Sequence, residues 1–410
     1  MKKKYLYALV FTFLVAGIFC GCNQDVENCS IYSSPLVMRR SDPSVVHHTD
    51  GLYYLVCTYD YGSYSSLKIR AGSKINSLRY KDEYTVNFTN ASEMGAYSYF
   101  WGPELKFINA QWYLFFTASV SSTSTWLQRP FVAKCTGTSP LTSDFEILGK
   151  IQAVTQSTFD ESQNIIDSYS MGPNVFYSDG QWYFAWTQNI EDGDEDWDLD
   201  GETGIDNNNL TLKIGENSDG TLLTKDFEDL AQNIKNKNTW QCLFIGKTSP
   251  EDFTKVTNAT IISVPEYDWE CGTYTSHSDT DFGNINDAPS FIIKDSQIYC
   301  IYSASDTDES YCMGLLSAKV GSELCNYSSW HKSPESIFST NSTFNAYGPG
   351  SASFTTDGEN TVMFYSARNY SGLYSSGTTT TKESYSDLNR AVCAKQIGWN
   401  TDGTPNLYYK

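Results

Sequence analysis

Positive charge is scarce in this sequence. Among 410 residues, 28 Lys and Arg stand against 48 Asp and Glu, which gives a formal net charge of −20, and only 19% of the residues are charged. Neutralisation of phosphates by Lys and Arg supplies most of the sequence-independent affinity of proteins for nucleic acids, and no basic stripe interrupts the acidic excess. The composition therefore argues against nucleic-acid binding.

The sequence also lacks a Cys-x-x-Cys pair, which argues against a zinc site of the usual spacing. Of its 11 cysteines, Cys20 belongs to the predicted leader and Cys22 is expected to carry lipid, so nine remain. Nine is odd, and at least one thiol stays free unless two chains pair. Most lie in apolar runs, where a thiol behaves as a small hydrophobe. Cys300 and Cys312 flank a polar stretch and could face each other across a hairpin, so a disulfide between them stays open.

Only one long apolar run occurs, and it lies at the N-terminus. Lys2, Lys3 and Lys4 precede the apolar stretch 5–19, which is too short to span a bilayer and is typical of a signal peptide. The following Cys20-Gly21-Cys22-Asn23 resembles a bacterial lipobox. We predict a lipoprotein signal peptide over 1–21, a lipidated Cys22 and a polar tether over 22–34; ordinary secretion is the alternative. The lipoprotein prediction places the protein outside the cytoplasm, in the periplasm or at the cell surface, with the lipid as its only contact with the membrane.

Aromatic residues are abundant and fall into short runs of strand length. They make up 15% of the chain, with 29 Tyr, 22 Phe and 10 Trp. Such a composition favours an all-β protein. The five runs are Leu52-Tyr53-Tyr54-Leu55-Val56, Gln111-Trp112-Tyr113-Leu114-Phe115, Gln181-Trp182-Tyr183-Phe184-Ala185, Gln297-Ile298-Tyr299-Cys300-Ile301 and Thr361-Val362-Met363-Phe364-Tyr365.

A dipeptide ending in proline precedes each aromatic run. Pro103 to Tyr113 spans ten residues, and the same spacing separates Pro173 from Tyr183. Five units of roughly 60 to 75 residues each match the blades of a propeller. Small residues and proline suit strand starts that crowd around an axis, whereas a β-sandwich, the alternative, gives no reason for this repeat. We predict a five-bladed β-propeller over 35–410. The dipeptides are Asp42-Pro43, Gly102-Pro103, Gly172-Pro173, Ala288-Pro289 and Gly348-Pro349.

The spacing between the third and fourth aromatic runs is longer, which predicts an acidic insertion at about 189–240. Within it, Asp196, Asp198 and Asp200 are followed by Gly201, as at the opening of a calcium-binding loop. The twelfth position is Asn207 rather than the usual bidentate Glu. This segment is compatible with either a calcium site or a run of solvated acidic side chains. No other cofactor is expected.

Acidic residues occur at the predicted starts of three innermost strands. They are Asp42, Glu104 and Asp287, and a propeller brings such positions together at the mouth of its axis. Two carboxylates on a rigid scaffold are what glycoside cleavage requires, one to activate water and one to protonate the leaving oxygen. Trp101 and Tyr347 lie near these positions and suit stacking on sugar rings, although each taken singly is more often a core residue.

At these positions the chain resembles glycoside hydrolase family 43, in particular its arabinofuranosidase-like branch. The family comprises five-bladed inverting enzymes that include α-L-arabinofuranosidases and β-xylosidases. The motifs that carry the resemblance are Arg40-Ser41-Asp42-Pro43, Trp101-Gly102-Pro103-Glu104, Pro265-Glu266-Tyr267-Asp268-Trp269-Glu270, Trp330-His331-Lys332-Ser333-Pro334, Tyr347-Gly348-Pro349-Gly350 and Tyr365-Ser366-Ala367-Arg368-Asn369-Tyr370.

The resemblance implies roles and also shows departures. It makes Asp42 the general base and places Asp287 where the family has a Glu as general acid. Gly172 stands where the family has a third Asp that orients the acid and raises its pKa; Asp167, five residues earlier, is the nearest acid. Ser351 replaces a His that often holds an axial cation or water.

Two hypotheses follow. In the first, the protein is an exo-acting, inverting hydrolase of arabinose- or xylose-containing plant polysaccharide, an α-L-arabinofuranosidase or β-xylosidase, and is a monomer. Its predicted substrate contacts are Trp101, Glu104, Tyr347 and Arg368. In the second, an inactive propeller lipoprotein binds glycan or a protein partner at the same mouth. Asp42 would then only cap a turn, and Arg368 would only pair with a buried acid.

Overall fold

Five of the sheets in the described part of the chain are blades, called blades 1 to 5 in chain order, and this computed structural model confirms the predicted five-bladed β-propeller. The predicted leader with Cys22, and the acids Asp196, Asp198 and Asp200, lie outside the residues that the structure describes. Those residues are 32–191, 203–206, 211–216, 222–226, 239–271, 284–369 and 389–409.

Blades 1 and 2 each contain four strands in sequential order from the axis outward. The second strand of each is one of the aromatic runs, buried on both faces for most of its length. Blade 1 consists of β2 (Ser41–His47), β3 (Tyr53–Tyr59), β4 (Ser66–Gly72) and β5 (Tyr84–Thr85), and blade 2 of β6 (Ser98–Ile108), β7 (Gln111–Ser119), β8 (Gln128–Cys135) and β9 (Phe145–Lys150).

Blade 3 is interrupted by the insertion and has five strands. A separate three-stranded antiparallel sheet, β13 to β15, lies in the chain between its second and third strands. From the axis outward the blade consists of β11 (Ser170–Ser178), β12 (Gln181–Glu191), β16 (Thr239–Thr248), β17 (Lys255–Ser263) and the parallel β10 (Gln152–Ala153); the insertion strands are β13 (Thr203–Asp206), β14 (Thr211–Glu216) and β15 (Leu222–Asp226).

Blade 5 closes the ring with strands from both ends of the chain. Its outermost strand, β1 (Val37–Met38), pairs antiparallel with β24 (Ala391–Gln396), so the start of the propeller completes its last blade. Blade 4 consists of β18 (Asn286–Lys294), β19 (Gln297–Ala304), β20 (Cys312–Lys319) and β21 (His331–Lys332), and the inner strands of blade 5 are β22 (Tyr347–Asp357) and β23 (Asn360–Arg368).

The remaining elements are short. A two-stranded hairpin, β25 (Gly398–Trp399) and β26 (Pro405–Asn406), follows blade 5. None of the helices in the described ranges is both long and apolar enough to cross a membrane. Short 3-10 helices of one or two turns occur at Ile75–Tyr80, Glu161–Gln163, Asp268–Glu270, Tyr327–Ser329 and Ser342–Phe344.

The hydrophobic core lies between the blades. Five clusters of buried side chains occur among the described residues, one for each pair of neighbouring blades. Between blades 2 and 3, for example, Phe115 of β7 packs with Phe184 and Trp186 of β12. Aromatic side chains of the second strands therefore fill the space between neighbouring blades, which explains the aromatic excess of the sequence. The disulfide left open by the sequence is not formed: Cys300 lies opposite Leu316, Cys312 lies opposite Ala304, and both thiols are free and buried.

Each innermost strand begins with the same backbone irregularity at the residue before proline. That residue has a positive φ in all five blades, and the pairing register shifts there. L residues with a side chain adopt this conformation rarely, which explains the glycines. The φ values are 50° for Asp42, 54° for Gly102, 61° for Gly172, 47° for Ala288 and 59° for Gly348. The shared kink brings the five strand starts together at one end of the axis.

Candidate active site

A cavity of about 280 Å³ opens at that end of the axis, and residues from all five blades line it. Its walls combine carboxylates and one guanidinium with aromatic rings, so the cavity offers a ligand both polar groups and aromatic faces. The lining residues are Asp42, Asp60, Trp101, Thr125, Trp126, Tyr169, Met171, Gln241, Ile285, Asp287, Ser305, Asp306, Thr307, Tyr311 and Arg390.

Asp42 is held at the cavity wall by groups from blade 5. Its backbone N–H donates to Ser366 Oγ at 2.8 Å, which fixes the kink that precedes Pro43. Its side-chain Oδ1 accepts a hydrogen bond from Ser351 Oγ at 2.9 Å and lies 3.4 Å from Nη1 of Arg390. A hydroxyl and a guanidinium thus orient the carboxylate, whose side chain remains 14% exposed to the cavity.

Asp287 has a different environment. The residue is buried, and its Oδ1 accepts a hydrogen bond from the N–H of Ala288 at 2.6 Å. Burial raises the pKa of Asp287 to about 6; the Asp42 carboxylate acts in the same direction, while the Thr187 hydroxyl, the Ala288 N–H and Arg390 oppose it. The carboxyl group of Asp287 is therefore the one suited to carry a proton near neutral pH, which is the requirement for a general acid.

Gly172 leaves no room for a third carboxylate. A Cβ at this position would lie 2.9 Å from Ala288 Cα and 3.2 Å from Asp287 Oδ1, closer than ordinary side-chain contacts. The carboxyl group of Asp287 therefore fills the space beside residue 172. Asp167 lies outside the cavity wall, where its backbone carbonyl accepts a hydrogen bond from Arg129.

Ser351, at the position where the resemblance implies a His, orients Asp42 through its hydroxyl. Its own N–H donates to Ser303 Oγ at 2.7 Å. In the part of the chain that the structure describes, no group of three or more His, Cys, Asp or Glu side chains is arranged to hold a metal ion. The cluster Asp196, Asp198 and Asp200 lies outside that part and stays a prediction.

Of the four predicted substrate contacts, Trp101 lies in the cavity. Its indole Nε1 donates to Asp60 Oδ1 at 3.2 Å. Glu104 instead lies below, in a small axial cavity of about 40 Å³, where it pairs with Lys106 at 2.5 Å and accepts from Ser44 Oγ at 2.9 Å. Glu104 therefore braces the inner strands of blades 1 and 2.

Tyr347 and Arg368 lie opposite each other on β22 and β23, outside the cavity wall. Arg368 is fully buried and donates to the backbone carbonyl of Thr307 at 2.9 Å, so it supports a residue that lines the cavity. The guanidinium that faces Asp42 belongs to Arg390, which precedes β24. Arg390 stands in no repeated motif, and sequence reasoning missed it.

Two further cavity carboxylates, Asp60 and Asp306, were also missed. Each comes directly or almost directly after the second strand of its blade, β3 or β19. In an antiparallel blade, the end of the second strand lies beside the start of the first. The same repeat that located Asp42 and Asp287 could therefore have located Asp60 and Asp306.

The fold and the cavity together define a class: five-bladed propellers with a carboxylate-lined pocket at the mouth of the axis. Residues 32–221 and 232–405 match the model of "Glycosyl hydrolases family 43". The match covers most of the chain, and the protein belongs to this family.

Characterised relatives include an extracellular exo-α-(1→5)-L-arabinofuranosidase of Streptomyces avermitilis. It is 29% identical over 379 residues, which cover 92% of this chain and 63% of that protein. An α-L-arabinofuranosidase 43 of Humicola insolens is 28% identical over 400 residues, covering 97% of this chain and 67% of that protein. The chain thus spans about two thirds of the length of these relatives.

Solved structures show the same fold. A crystal structure of an α-L-arabinofuranosidase from Lactobacillus brevis superposes with a TM-score of 0.65 at 25% identity, covering 92% of this chain and 96% of that one. An endo-arabinase from Bacteroides thetaiotaomicron superposes with a TM-score of 0.54 at 14% identity, covering 92% and 99% of the two chains, and shares the fold alone.

Proposed function

We propose that this protein is an exo-acting, inverting glycoside hydrolase of the α-L-arabinofuranosidase type, with a β-xylosidase as the nearest variant. The observation that carries the proposal is the pair Asp42 and Asp287. Both line one cavity; Asp287 is buried and its pKa is raised to about 6, whereas the side chain of Asp42 is partly exposed. Two carboxyl groups in unlike environments divide the roles of base and acid.

In this mechanism Asp42 removes a proton from water, which attacks the anomeric carbon from one face of the sugar. Asp287 donates its proton to the departing glycosidic oxygen on the other face. Arg390 and Ser351 keep the Asp42 carboxylate oriented toward the water. Trp101 provides an aromatic face for the sugar ring and, with Asp60, a polar edge for its hydroxyls.

The substrate and location follow the same proposal. Several relatives are named α-L-arabinofuranosidases, and two of them are named extracellular, which supports action outside the cytoplasm on arabinose-containing plant polysaccharide. We place the protein there as a monomer, anchored through a lipid on Cys22, with no cofactor required for the reaction. A calcium ion at Asp196, Asp198 and Asp200 would support the insertion rather than the chemistry.

Two departures from the family pattern favour a second function, in which the cavity binds glycan without cleaving it. Gly172 removes the third carboxylate, and Asp287 is one methylene shorter than the Glu that the family resemblance implies. A misplacement of about 1 Å at a catalytic group can lower the rate on the order of a hundredfold. The second function predicts saturable binding of arabinan fragments with no products released.

The test is turnover of aryl α-L-arabinofuranosides and β-xylosides by the chain without its leader. We expect release of the inverted sugar, detected by NMR, with kcat/KM falling as the pH rises through about 6, because Asp287 loses its proton there. Asp42→Asn should lower kcat/KM by about a thousandfold. Undiminished turnover in that variant refutes the assigned base, and binding without turnover by the unaltered protein supports the second function.

Asp179→Asn is a matched control. Asp179 has nearly the same backbone conformation as Asp42, with φ of 48° against 50°, but lies exposed in the turn between β11 and β12. Its substitution should leave kcat/KM unchanged, so that a loss in Asp42→Asn reports the carboxylate and not the conformation.

A further inference from the structure

A buried carboxylate outside the cavity accepts an unusually complete set of hydrogen bonds. Glu270, at the end of a 3-10 turn after blade 3, has no exposed surface. Its Oε2 accepts from the N–H groups of Glu266 and Tyr267 at 2.6 and 3.0 Å. Its Oε1 accepts from Tyr302 Oη at 2.8 Å and from two further side chains. Five donors therefore fix both oxygens of one carboxylate.

Those two further donors are Lys332 and Asn286. Lys332, on the outermost strand of blade 4, contacts Glu270 Oε1 at 2.7 Å and also donates to the carbonyl of Val264 at 2.6 Å. Asn286, the first residue of the innermost strand β18, donates through Nδ2 to Glu270 Oε1 at 2.7 Å. The ion pair Glu270–Lys332 thus connects the inner and outer edges of blade 4.

Asn286 is held at both ends of its side-chain amide. Its Oδ1 accepts from Ser263 Oγ at 2.6 Å and from Lys332 Nζ at 3.1 Å. Its backbone carbonyl accepts from the Thr187 hydroxyl at 3.3 Å. The residue is fully buried, so water cannot replace these hydrogen bonds, and they fix the position of Asn286.

The next residue in the chain is Asp287. Asn286 and Asp287 lie opposite Ala304 and Ser303 on β19, and the regular ladder then breaks until Ser290. Asp287 therefore stands at the last regular pair before the kink. Its own side chain turns back to the N–H of Ala288, so the placement of its carboxyl group depends on where Asn286 anchors the strand.

We propose that Glu270 and Lys332 are positioning residues that place the general acid Asp287 through Asn286. The inference rests on the proposed hydrolase function. A shortened acid has less reach than a Glu, so its donor oxygen has to be held closely at the leaving oxygen. The network supplies that constraint from behind the strand, since Glu270 and Lys332 lie outside the cavity wall.

The experiment compares two substrates that differ in their need for an acid. A dinitrophenyl α-L-arabinofuranoside has a leaving group that departs without a proton, whereas an arabino-oligosaccharide requires one. In Glu270→Gln and Lys332→Met, we expect kcat/KM for the oligosaccharide to fall about a hundredfold, and that for the dinitrophenyl substrate to fall no more than about threefold. Equal losses on both substrates would mean a structural role and overturn the proposal.

Lys395→Met is the matched control, because Lys395 is a buried cation of blade 5. It donates to the carbonyl of Leu407 and lies 3.8 Å from the centre of the Phe344 ring, away from the cavity. Its loss should lower the melting temperature without changing the ratio of the two kcat/KM values. The same change of ratio in Lys395→Met would show that destabilisation alone produces it, and would also overturn the proposal.

Crystal structures of Glu270→Gln and Lys332→Met give a readout that does not require turnover. We expect the Asp287 carboxyl group to move by about 1 Å or to occupy two rotamers, because the anchor of Asn286 is weakened. If the unaltered protein cleaves neither substrate, the proposed function fails, and these structures alone decide the inference. An Asp287 carboxyl group that stays in place in both variants contradicts it.

Discussion

Blades 1 and 3 present the same backbone kink at the cavity but different chemistry. Asp42 and Gly172 both precede proline, with φ of 50° and 61°. At Asp42 the kink carries a carboxylate that meets a hydroxyl and a guanidinium from blade 5. At Gly172 the same kink carries no side chain, and the Asp287 carboxyl group fills the space. The backbone kink therefore fixes the position from which a side chain can enter the cavity, and contacts from the neighbouring blade determine whether there is space for that side chain.

The comparison also separates two ways of raising the pKa of an acid. A neighbouring carboxylate raises it by repulsion, which is the role the family resemblance gives to the residue at 172. In this chain, burial is the main cause of the raised pKa of Asp287, with a smaller contribution from Asp42. Loss of one carboxylate therefore does not by itself remove a protonated acid from the cavity.

The largest expected effect comes from restoring an acid at residue 172. In Gly172→Asp, the new Cβ would meet Ala288 Cα at 2.9 Å, and the positive φ adds strain. We expect the free energy of unfolding to fall by about 4 kcal/mol. Activity should also fall, because Asp287 is displaced. Chemical denaturation measures the first effect and kcat/KM the second.

Gly102→Asp is the matched variant for that prediction. Gly102 has a φ of 54°, and the nearest atom to an added Cβ is 3.9 Å away, in the backbone of Gly172. Its substitution should therefore lower the free energy of unfolding by only about 1 kcal/mol, the conformational part alone. A gain of activity in Gly172→Asp, or equal losses of stability in the two variants, would contradict the crowding argued here.

The next effect is a pH-dependent stabilisation by Asp287→Asn. Because the pKa of Asp287 rises from 3.8 to about 6 on folding, the folded state holds its proton more tightly and loses stability as the pH rises through 6. Asparagine does not ionise and escapes that loss. The stability of the variant relative to the unaltered protein should therefore increase by about 3 kcal/mol between about pH 4 and about pH 7.

Unfolding in denaturant at a series of pH values measures this difference, in which the other titrating groups cancel. Asp179→Asn, on its exposed turn, serves as the control and should follow the unaltered protein at every pH. A difference between Asp287→Asn and the unaltered protein that stays constant across the range would show that burial does not raise the pKa as described.

Much of the fold could be predicted because each repeat depends on residue types that are close together in the sequence. A kink with positive φ demands glycine or a small residue, proline follows it, and the second strand of each blade packs aromatic rings between the sheets. Those demands recur at fixed spacing, so five blades and the start of each inner strand could be read from the sequence. Asp42 and Asp287 are located by the same rule.

The rest of the site depends on distances between blades, and the spacing of residues along the sequence does not predict those distances. Arg390 reaches Asp42 only because β1 and β24 close the ring. Arg390 is not part of any repeated motif. Glu104, predicted at a strand start, lies two residues beyond the kink in the middle of β6, and Lys106 and Ser44 hold it in the axis below the cavity. Which way a side chain points from a kinked strand is decided by its neighbours in three dimensions.

The third prediction distinguishes the role of Arg390 in catalysis from the role of Arg368 in stability. Arg390→Met removes the charge beside the Asp42 carboxylate, and we expect kcat/KM to fall about thirtyfold, since a hydrogen bond to a charged group contributes about 2 kcal/mol. Arg368→Met leaves the Thr307 carbonyl without that donor, and should mainly lower the melting temperature. Equal losses of kcat/KM at equal melting temperature in both variants would remove the distinction between them.

The smallest effect is at the aromatic wall. Trp101→Phe keeps an aromatic face toward the cavity but removes the indole N–H that donates to Asp60 at 3.2 Å. The loss of one such hydrogen bond is about 1 kcal/mol, so KM for an aryl arabinofuranoside should rise about fivefold with kcat nearly unchanged. Trp182→Phe, on the second strand of blade 3 and packed between Tyr177 and Phe253, is the control and should leave KM unchanged. If kcat falls in Trp101→Phe instead of KM rising, the indole acts on the transition state, and Asp60 belongs with Asp42 in the chemistry rather than in binding.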